Sequence, residues 1–335
     1  MKIISISVLL VFLIFHGFDI NAEELSTENV CNKSKITFDT SSLKYIFLHS
    51  EEILLDPEEF WESDPAYKII KKILTYLKRP IPYEKWKKNI GAIAELSQEE
   101  RKKNQYYLIA GEIEEKVDYV NSTAVSYVCS YFPKASKLDI SFTVHLTAYT
   151  GAYRTMYQNT LVIDAAHSRW GGSSEKILNN LVRVLFDIGY SKIRAFRTEE
   201  PLHKKVYRLL ELLHIRGMCT YVAYKALHLL PAVDIPEFTM LENHSEVARL
   251  RNNLNNVFSN AKKMSEEDLW KSANKIGIRD KAYYVVGAYM AKTIEEKLGR
   301  KGLMDTLTKG PRGFVQTYNS LVGSGEKIYE FESDN

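Results

Sequence analysis

The stretch EKILNNLVRVLFDIGY, Glu175 to Tyr190, decides how the rest of the chain is read. Ile177, Leu181, Val184, Leu185 and Ile188 fall at i, i+4, i+7, i+8 and i+11, one apolar stripe along a helix over 175–190. Arg183 and Asp187 share a face of that helix at i, i+4, close enough to form an ion pair. Ahead of them, Trp170-Gly171-Gly172-Ser173-Ser174 reads as a turn that ends in a helix N-cap.

Upstream of this helix the period changes from helical to alternating. Ile140, Phe142, Val144 and Leu146 alternate with Ser141, Thr143, His145 and Thr147, the pattern of a half-buried strand. Thr160 to Ile163 reads as a second strand, reached through a turn containing Tyr and Gly. Further upstream, Ile69, Ile70, Ile73, Leu74 and Leu77 mark a helix stopped by Pro80 and Pro82. A second helix runs through Trp86, Ile90, Ile93 and Leu96. Ser97 with Glu100 opens a third as a capping box, continuing through Tyr106, Tyr107, Ile109 and Ala110. Residues 23 to about 50 are expected to form an irregular arm.

Downstream, Pro201 opens a long helix through Val206, Leu209, Leu210, Leu213 and Tyr221 to Leu230, stopped by Pro231 and Pro236. Ser265 with Asp268 caps another ahead of Gly277, and a last helix runs from Lys281 to Leu298 with Gly299 as its C′ residue. The fold class is α+β and mostly helical, with a small β-sheet and packed helices. The expected organisation is 1–22 signal peptide, 23–135 N-terminal arm and helical region, 136–230 core, and 231–335 C-terminal helical subdomain.

Composition narrows the function without naming it. The chain has 335 residues, with 45 Lys+Arg against 42 Asp+Glu and a net charge of +3. So even a balance argues against a nucleic-acid-binding face, which is densely basic. A 45% hydrophobic and 26% charged chain is that of a folded protein, not a disordered or polytopic one.

The first 22 residues add a compartment. Lys2 precedes an apolar run from Ile3 to Phe15, which His16, Gly17, Asp19 and Asn21 end before Ala22. This has the form of a secretory signal peptide, too short for a stable span. The mature protein is expected to be exported, periplasmic or extracellular, and not attached to a membrane. In that oxidising space Cys31 and Cys129 could pair, leaving Cys219 in an apolar helical run. Three free thiols are the alternative, since an odd count defines no framework.

Three segments carry a family resemblance. Arg183-Val184-Leu185-Phe186-Asp187-Ile188-Gly189-Tyr190 resembles a His-Glu-x-x-His-Ile-Gly-Tyr zinc helix with its chemical residues replaced. Arg216-Gly217-Met218-Cys219-Thr220-Tyr221 resembles the Glu-Gly-x-Ala-x-Tyr segment that supplies the third zinc ligand. Tyr284-Val285-Val286-Gly287-Ala288-Tyr289-Met290-Ala291, then Ile294-Glu295, Gly299 and Gly310-Pro311, fits as well. Together they resemble the gluzincin-type zinc metallopeptidases, in particular secreted zinc-dependent peptidases of bacteria, over about Leu138 to Leu321. The resemblance implies a zincin-like scaffold.

It also implies what has been lost. In such enzymes two His at i, i+4 and a Glu from a later helix hold zinc, and the Glu after the first His serves as general base. The four matching positions here are Arg183, Val184, Asp187 and Arg216. A guanidinium stays protonated and cannot ligate zinc, and valine cannot transfer a proton. The expectation is therefore no catalytic residue, no metal and no cofactor, with Arg183, Asp187 and Arg216 forming an ion-pair cluster in one cleft. A solvated helix face bearing Arg183 and Asp187 is the plainer alternative.

No other template replaces the lost one. None of His49, His145, His167, His203, His214, His228 and His244 stands at metal-ligand spacing from another, and His145 is expected to be a surface residue. There is no G-x-S-x-G elbow, phosphate loop or dinucleotide fingerprint. Glu199, Glu200 and Glu211 offer carboxylates without a partner acid, and Asn32, Asn121 and Asn243 lie in sequons. The function expected is an exported, inactive metallopeptidase-like protein whose cleft takes a peptide or protein partner. An active hydrolase using other residues and a purely structural scaffold are the two alternatives.

Overall fold

Phe142, Val144 and Leu146 turn one side of a strand into the core, as their alternation requires. This strand is the second of four. In the computed structural model, which describes residues 31, 34–136, 138–194, 204–228 and 234–331, the strands are β1 (Ile36–Asp39), β2 (Phe142–Thr147), β3 (Arg154–Tyr157) and β4 (Thr160–Asp164). Their order across the sheet is β1-β2-β4-β3. β1, β2 and β4 are parallel, with Ile36 opposite Phe142 and Val144 opposite Leu161, while β3 returns antiparallel with Met156 opposite Leu161.

Helices make up most of the rest, so the fold is α+β and mostly helical. Ahead of the sheet's centre come α1 (Ser41–Leu48), α2 (Ser50–Leu55), α3 (Pro57–Ser63), α4 (Pro65–Tyr76), α5 (Tyr83–Ala94), α6 (Gln98–Lys103), α7 (Gln105–Glu115), α8 (Val117–Tyr119) and α9 (Val125–Cys129). After it come α10 (Ser174–Arg194), α11 (Lys204–Lys225), α12 (Pro236–Glu242), α13 (His244–Asn260), α14 (Glu266–Ala273) and α15 (Ala282–Leu321). Trp86, Phe132, Phe186, Tyr190 and Phe314 belong to one continuous core that both groups of helices share.

Several expectations need correction. The segment read as an irregular arm holds β1 and α1. Ile36 is fully buried, and Asn121 fixes it through both backbone groups: its Oδ1 accepts from Ile36 N at 2.7 Å and its Nδ2 donates to Ile36 O at 2.9 Å. Just ahead of β1, a disulfide joins Cys31 to Cys129 across 98 residues, and Cys219 is a buried free thiol. The turn expected between the two strands contains β3. The third helix breaks at Asn104, whose side chain caps α7 by accepting from Tyr106 N, although the Ser97–Glu100 capping box opens α6 as expected.

At the C-terminus Gly299 (φ 70°) ends a helical segment, but helix resumes after it and again after Gly310 (φ 74°). The three segments span 282–298, 300–309 and 311–321, and Pro311 opens the last, where a missing backbone N–H costs nothing. Ser265 caps α14 through Asp268 N. The signal segment 1–22, the sequon at Asn32, Glu199, Glu200, Pro201, His203, Leu230 and Pro231 lie outside the described residues.

Candidate functional site

Helices α10, α11 and α15 pack against one another, and glycines set how closely they approach. A Cβ at Gly217 on α11 would fall 2.3 Å from the carbonyl carbon of Gly287 on α15, so backbone meets backbone at this crossing. On α10, a Cβ at Gly189 would meet the Phe132 ring at 2.3 Å and Ile140 Cδ1 at 3.0 Å. Ser173 starts α10, its Oγ accepting from Lys176 N at 3.2 Å, which is the N-cap read from the sequence.

This packing brings two of the four singled-out positions together. Arg216 on α11 donates from Nη1 to Asp187 Oδ2 on α10 at 3.3 Å. Burial works against the charge of Arg216, but Asp187, with Cys219, Tyr284 and Tyr153 behind it, holds the guanidinium above its usual pKa. Val184, 6% exposed, presents only carbon beside them.

Arg183 does not follow the expectation. It does not pair with Asp187 at i, i+4; its guanidinium lies 5.3 Å from the Phe238 ring on α12 instead. Burial draws its pKa below the usual arginine value, while the Glu237 charge nearby opposes that. Arg183 Nη2 is sealed from solvent with no hydrogen-bond partner. The reason is tertiary: α12 supplies both an aromatic face and a carboxylate, and Arg216 already occupies Asp187.

Glu237 is the second anion of this charge cluster, and the sequence reading missed it. Its side chain is 4% exposed and faces Lys281 Nζ at 3.2 Å and Arg169 Nη2 at 3.8 Å. Burial opposes its ionisation, yet Arg183 and Lys281 together hold its carboxyl below the ordinary value. The available signal was its place as the lone charge in Ile235-Pro236-Glu237-Phe238, at a helix start.

Asn180, Arg154 and Tyr153 were missed as well. Asn180 stands one turn before Arg183 on the same face, and Arg154 from β3 donates to its Oδ1 at 2.9 Å. The Tyr153 ring takes the guanidinium of Arg169 at 4.8 Å. Below this layer Asp164 organises the loops, accepting from Tyr149 N, Gly151 N, Ala166 N and Thr150 Oγ1 at 2.9 to 3.2 Å.

The donor set does not fit zinc. Arg183 and Arg216 offer no lone pair, and Val184 has no ligating atom. Burial, with Asp187 second, pushes the Cys219 thiol well above its ordinary pKa, far from the thiolate a metal takes. Among the described residues no group of three or more His, Cys, Asp or Glu could hold a metal ion.

His145 is not a surface residue. Its side chain is 13% exposed on β2, with Nδ1 3.0 Å from Asp39 Oδ2 but off hydrogen-bond alignment. His214 is buried between Tyr190 OH, at 3.0 Å from its Nδ1, and the stacked ring of Phe314. The sequons at Asn121 and Asn243 have structural uses, since Asn121 holds β1 and Asn243 caps α13 by accepting from Ser245 N and Glu246 N. Tyr221 donates to Glu295, which Arg300 Nε also meets at 3.0 Å, tying α11 to α15.

The model of a family described as "Putative zinc dependent peptidase (DUF5700)" matches residues 225–324. That span carries Glu237, Lys281, Gly287 and Glu295, and lies C-terminal to Arg183, Asp187 and Arg216. No curated protein and no solved structure matches the chain. Over this C-terminal third the chain is similar to a zinc-peptidase-like family.

Proposed function

We propose that this is an exported metallopeptidase-like protein on a zincin-like scaffold that no longer cuts peptides and holds a peptide or protein partner in its cleft. The contact between Arg216 and Asp187, 3.3 Å apart on two different helices, carries this reading. These are two of the positions where the resemblance puts zinc ligands. An ion pair there ties α10 to α11 as a shared metal would, and Val184 replaces the base with an apolar surface. The similarity of residues 225–324 to zinc-dependent peptidases supports the same scaffold from an independent part of the chain.

The chain's own residues suit binding better than bond cleavage. Among the described residues, the groups gathered here are ill suited to activating water: Arg183 and Arg216 are cations, the Cys219 thiol is held protonated, Asp187 is paired with Arg216, and Glu237 is engaged by Lys281 and Arg169. β3 lies at the margin of the sheet with β4 on one side, and its first residue, Arg154, reaches Asn180 on α10. An extended chain could lie against that margin. The Cys31–Cys129 disulfide supports export into an oxidising compartment.

Metal analysis of the purified mature protein, with a peptide-cleavage assay before and after chelation, is the test. The expected result is no stoichiometric zinc and no cleavage. One zinc per chain, lost together with peptidase activity on chelation, would overturn the reading.

A further inference from the structure

We propose that Asn180, Arg183 and Arg216 form a receptor for a carboxylate carried by a peptide, taken up where the metal of a peptidase would lie. This rests on the cleft being a ligand site, as above, and adds the chemistry of what it recognises.

Three buried donors lack an acceptor here: Asn180 Nδ2, Arg183 Nη2 and Arg216 Nε. Unmet buried donors are costly, most of all on charged groups, and a bound acceptor removes that cost. They sit on neighbouring turns. Asn180 and Arg183 are three residues apart on α10, and Arg216 is joined to Asp187 one turn further on. Arg154 Nη1 holds Asn180 Oδ1, which fixes the amide with Nδ2 as its unmet end.

The charge balance points the same way. Among the described residues, Arg154, Arg169, Arg183, Arg216 and Lys281 gather around two carboxylates, Asp187 and Glu237. Glu237 is shared by Lys281 and Arg169, and Asp187 takes one N–H of Arg216. The cluster's own acceptors are thus committed, and three positive charges remain in excess. A cation would be repelled and a neutral ligand would leave that excess unmet. Guanidinium forks favour a planar, two-oxygen anion, which a carboxylate supplies. Arg154 begins a marginal strand, so a peptide along β3 could deliver that group to the cluster.

The test is a titration of the mature protein with labelled short Gly/Ala peptides of equal length, one neutral and amidated, one with a free C-terminus, and one amidated with an internal Glu. Inorganic phosphate serves as a fourth probe. A carboxylate-bearing peptide should bind at least about tenfold more tightly than the neutral amidated one, the worth of one charge-assisted hydrogen bond. Which of the two binds separates a C-terminal from a side-chain source. Arg183→Gln and Asn180→Leu should each abolish most of that preference, while Arg183→Lys, which keeps the charge but not the fork, should retain part of it.

Equal binding of all peptides, binding of phosphate alone, or an unchanged preference in a folded Arg183→Gln protein would overturn the receptor. Absence of any binding in a zinc-free, inactive protein would overturn it too, while leaving the inactive-peptidase reading intact. Stoichiometric zinc would instead defeat that reading itself.

Discussion

Gly217 on α11 and Gly287 on α15 touch through their backbones: a Cβ on Gly287 would stand 2.4 Å from Leu213 O and 2.6 Å from the Gly217 Cα. Both neighbours are backbone and cannot swing aside. Because Arg216 precedes Gly217, this crossing also sets the height at which its guanidinium meets Asp187. Gly217→Ala and Gly287→Ala should each destabilise the protein by about 1–3 kcal/mol through overpacking. Denaturant unfolding measures this, and an unchanged midpoint in both variants would contradict the close crossing.

Removing Asp187 strips Arg216 of its counter-charge. The two side chains are 29% and 31% exposed, so the pair lies between surface and interior. Asp187→Ala should cost about 1–2 kcal/mol, above a surface pair and below a buried one. Much of that cost is the guanidinium left alone, so Asp187→Ala with Arg216→Met should be no less stable than Asp187→Ala by itself. A double-mutant cycle on unfolding free energies checks the sign.

At the start of α10, Glu175 receives Lys116 Nζ at 2.9 Å, and this hydrogen bond, chiefly, lowers its pKa from 4.5 to about 2. A depressed carboxyl stabilises the fold above its unfolded pKa and loses that contribution on acidification. Stability should therefore fall as pH drops from about 4.5 to about 2, by roughly 1–2 kcal/mol once partial exposure is allowed for. Glu175→Gln should lower stability at pH 7 and flatten that part of the acid profile. Chemical denaturation across the pH series decides it; an unaltered slope in the variant would assign the acid loss elsewhere.

Reduction tests the N-terminal anchor. Cys31 and Cys129 close a long loop and tie the chain just ahead of β1 to α9, and opening such a loop typically costs about 2–4 kcal/mol. The Cys31→Ser, Cys129→Ser protein should melt at a lower temperature, with β1 amides losing hydrogen-exchange protection first. Cys219 should stay unreactive to thiol reagents until the chain unfolds, since burial raises its pKa. Rapid labelling of the native protein would place that thiol wrongly.

The helix carrying Arg183 and Asp187 could be read from the sequence because its stripe continues for several turns and tertiary packing agrees with it. β1 and β3 could not. Four residues such as Ile36–Asp39 give too few alternations to separate strand from arm, and Arg154–Tyr157 has no buried face to produce a pattern. The site was half legible for a related reason. Arg216 and Asp187 were matched through their segments, whereas the i, i+4 spacing of Arg183 and Asp187 states only what can reach. It does not reveal that Glu237 and Phe238, far along the chain, compete for Arg183. The groups that draw Arg183 away from Asp187 stand on α12, so no local window contains them.

Restoring the ligands tests whether the scaffold outlived the chemistry. Arg183→His, Val184→Glu, Asp187→His and Arg216→Glu, introduced together, would place two imidazoles at i, i+4 on α10 and a carboxylate on α11. Positions 187 and 216 already meet across the helices, so two of the three ligands need little backbone movement. The substitutions also remove two of the five cations, lowering the local repulsion against a divalent ion. The quadruple variant should bind one zinc per chain and gain thermal stability when zinc is added, because binding to the folded state alone stabilises it. Turnover need not return, since Arg154, Asn180 and Lys281 remain around the site and none would orient a zinc-bound imidazole. Zinc titration by calorimetry reads the outcome. A folded quadruple variant with no zinc affinity would show that these four positions do not superpose on a metal site, and the resemblance would then be confined to the C-terminal helices.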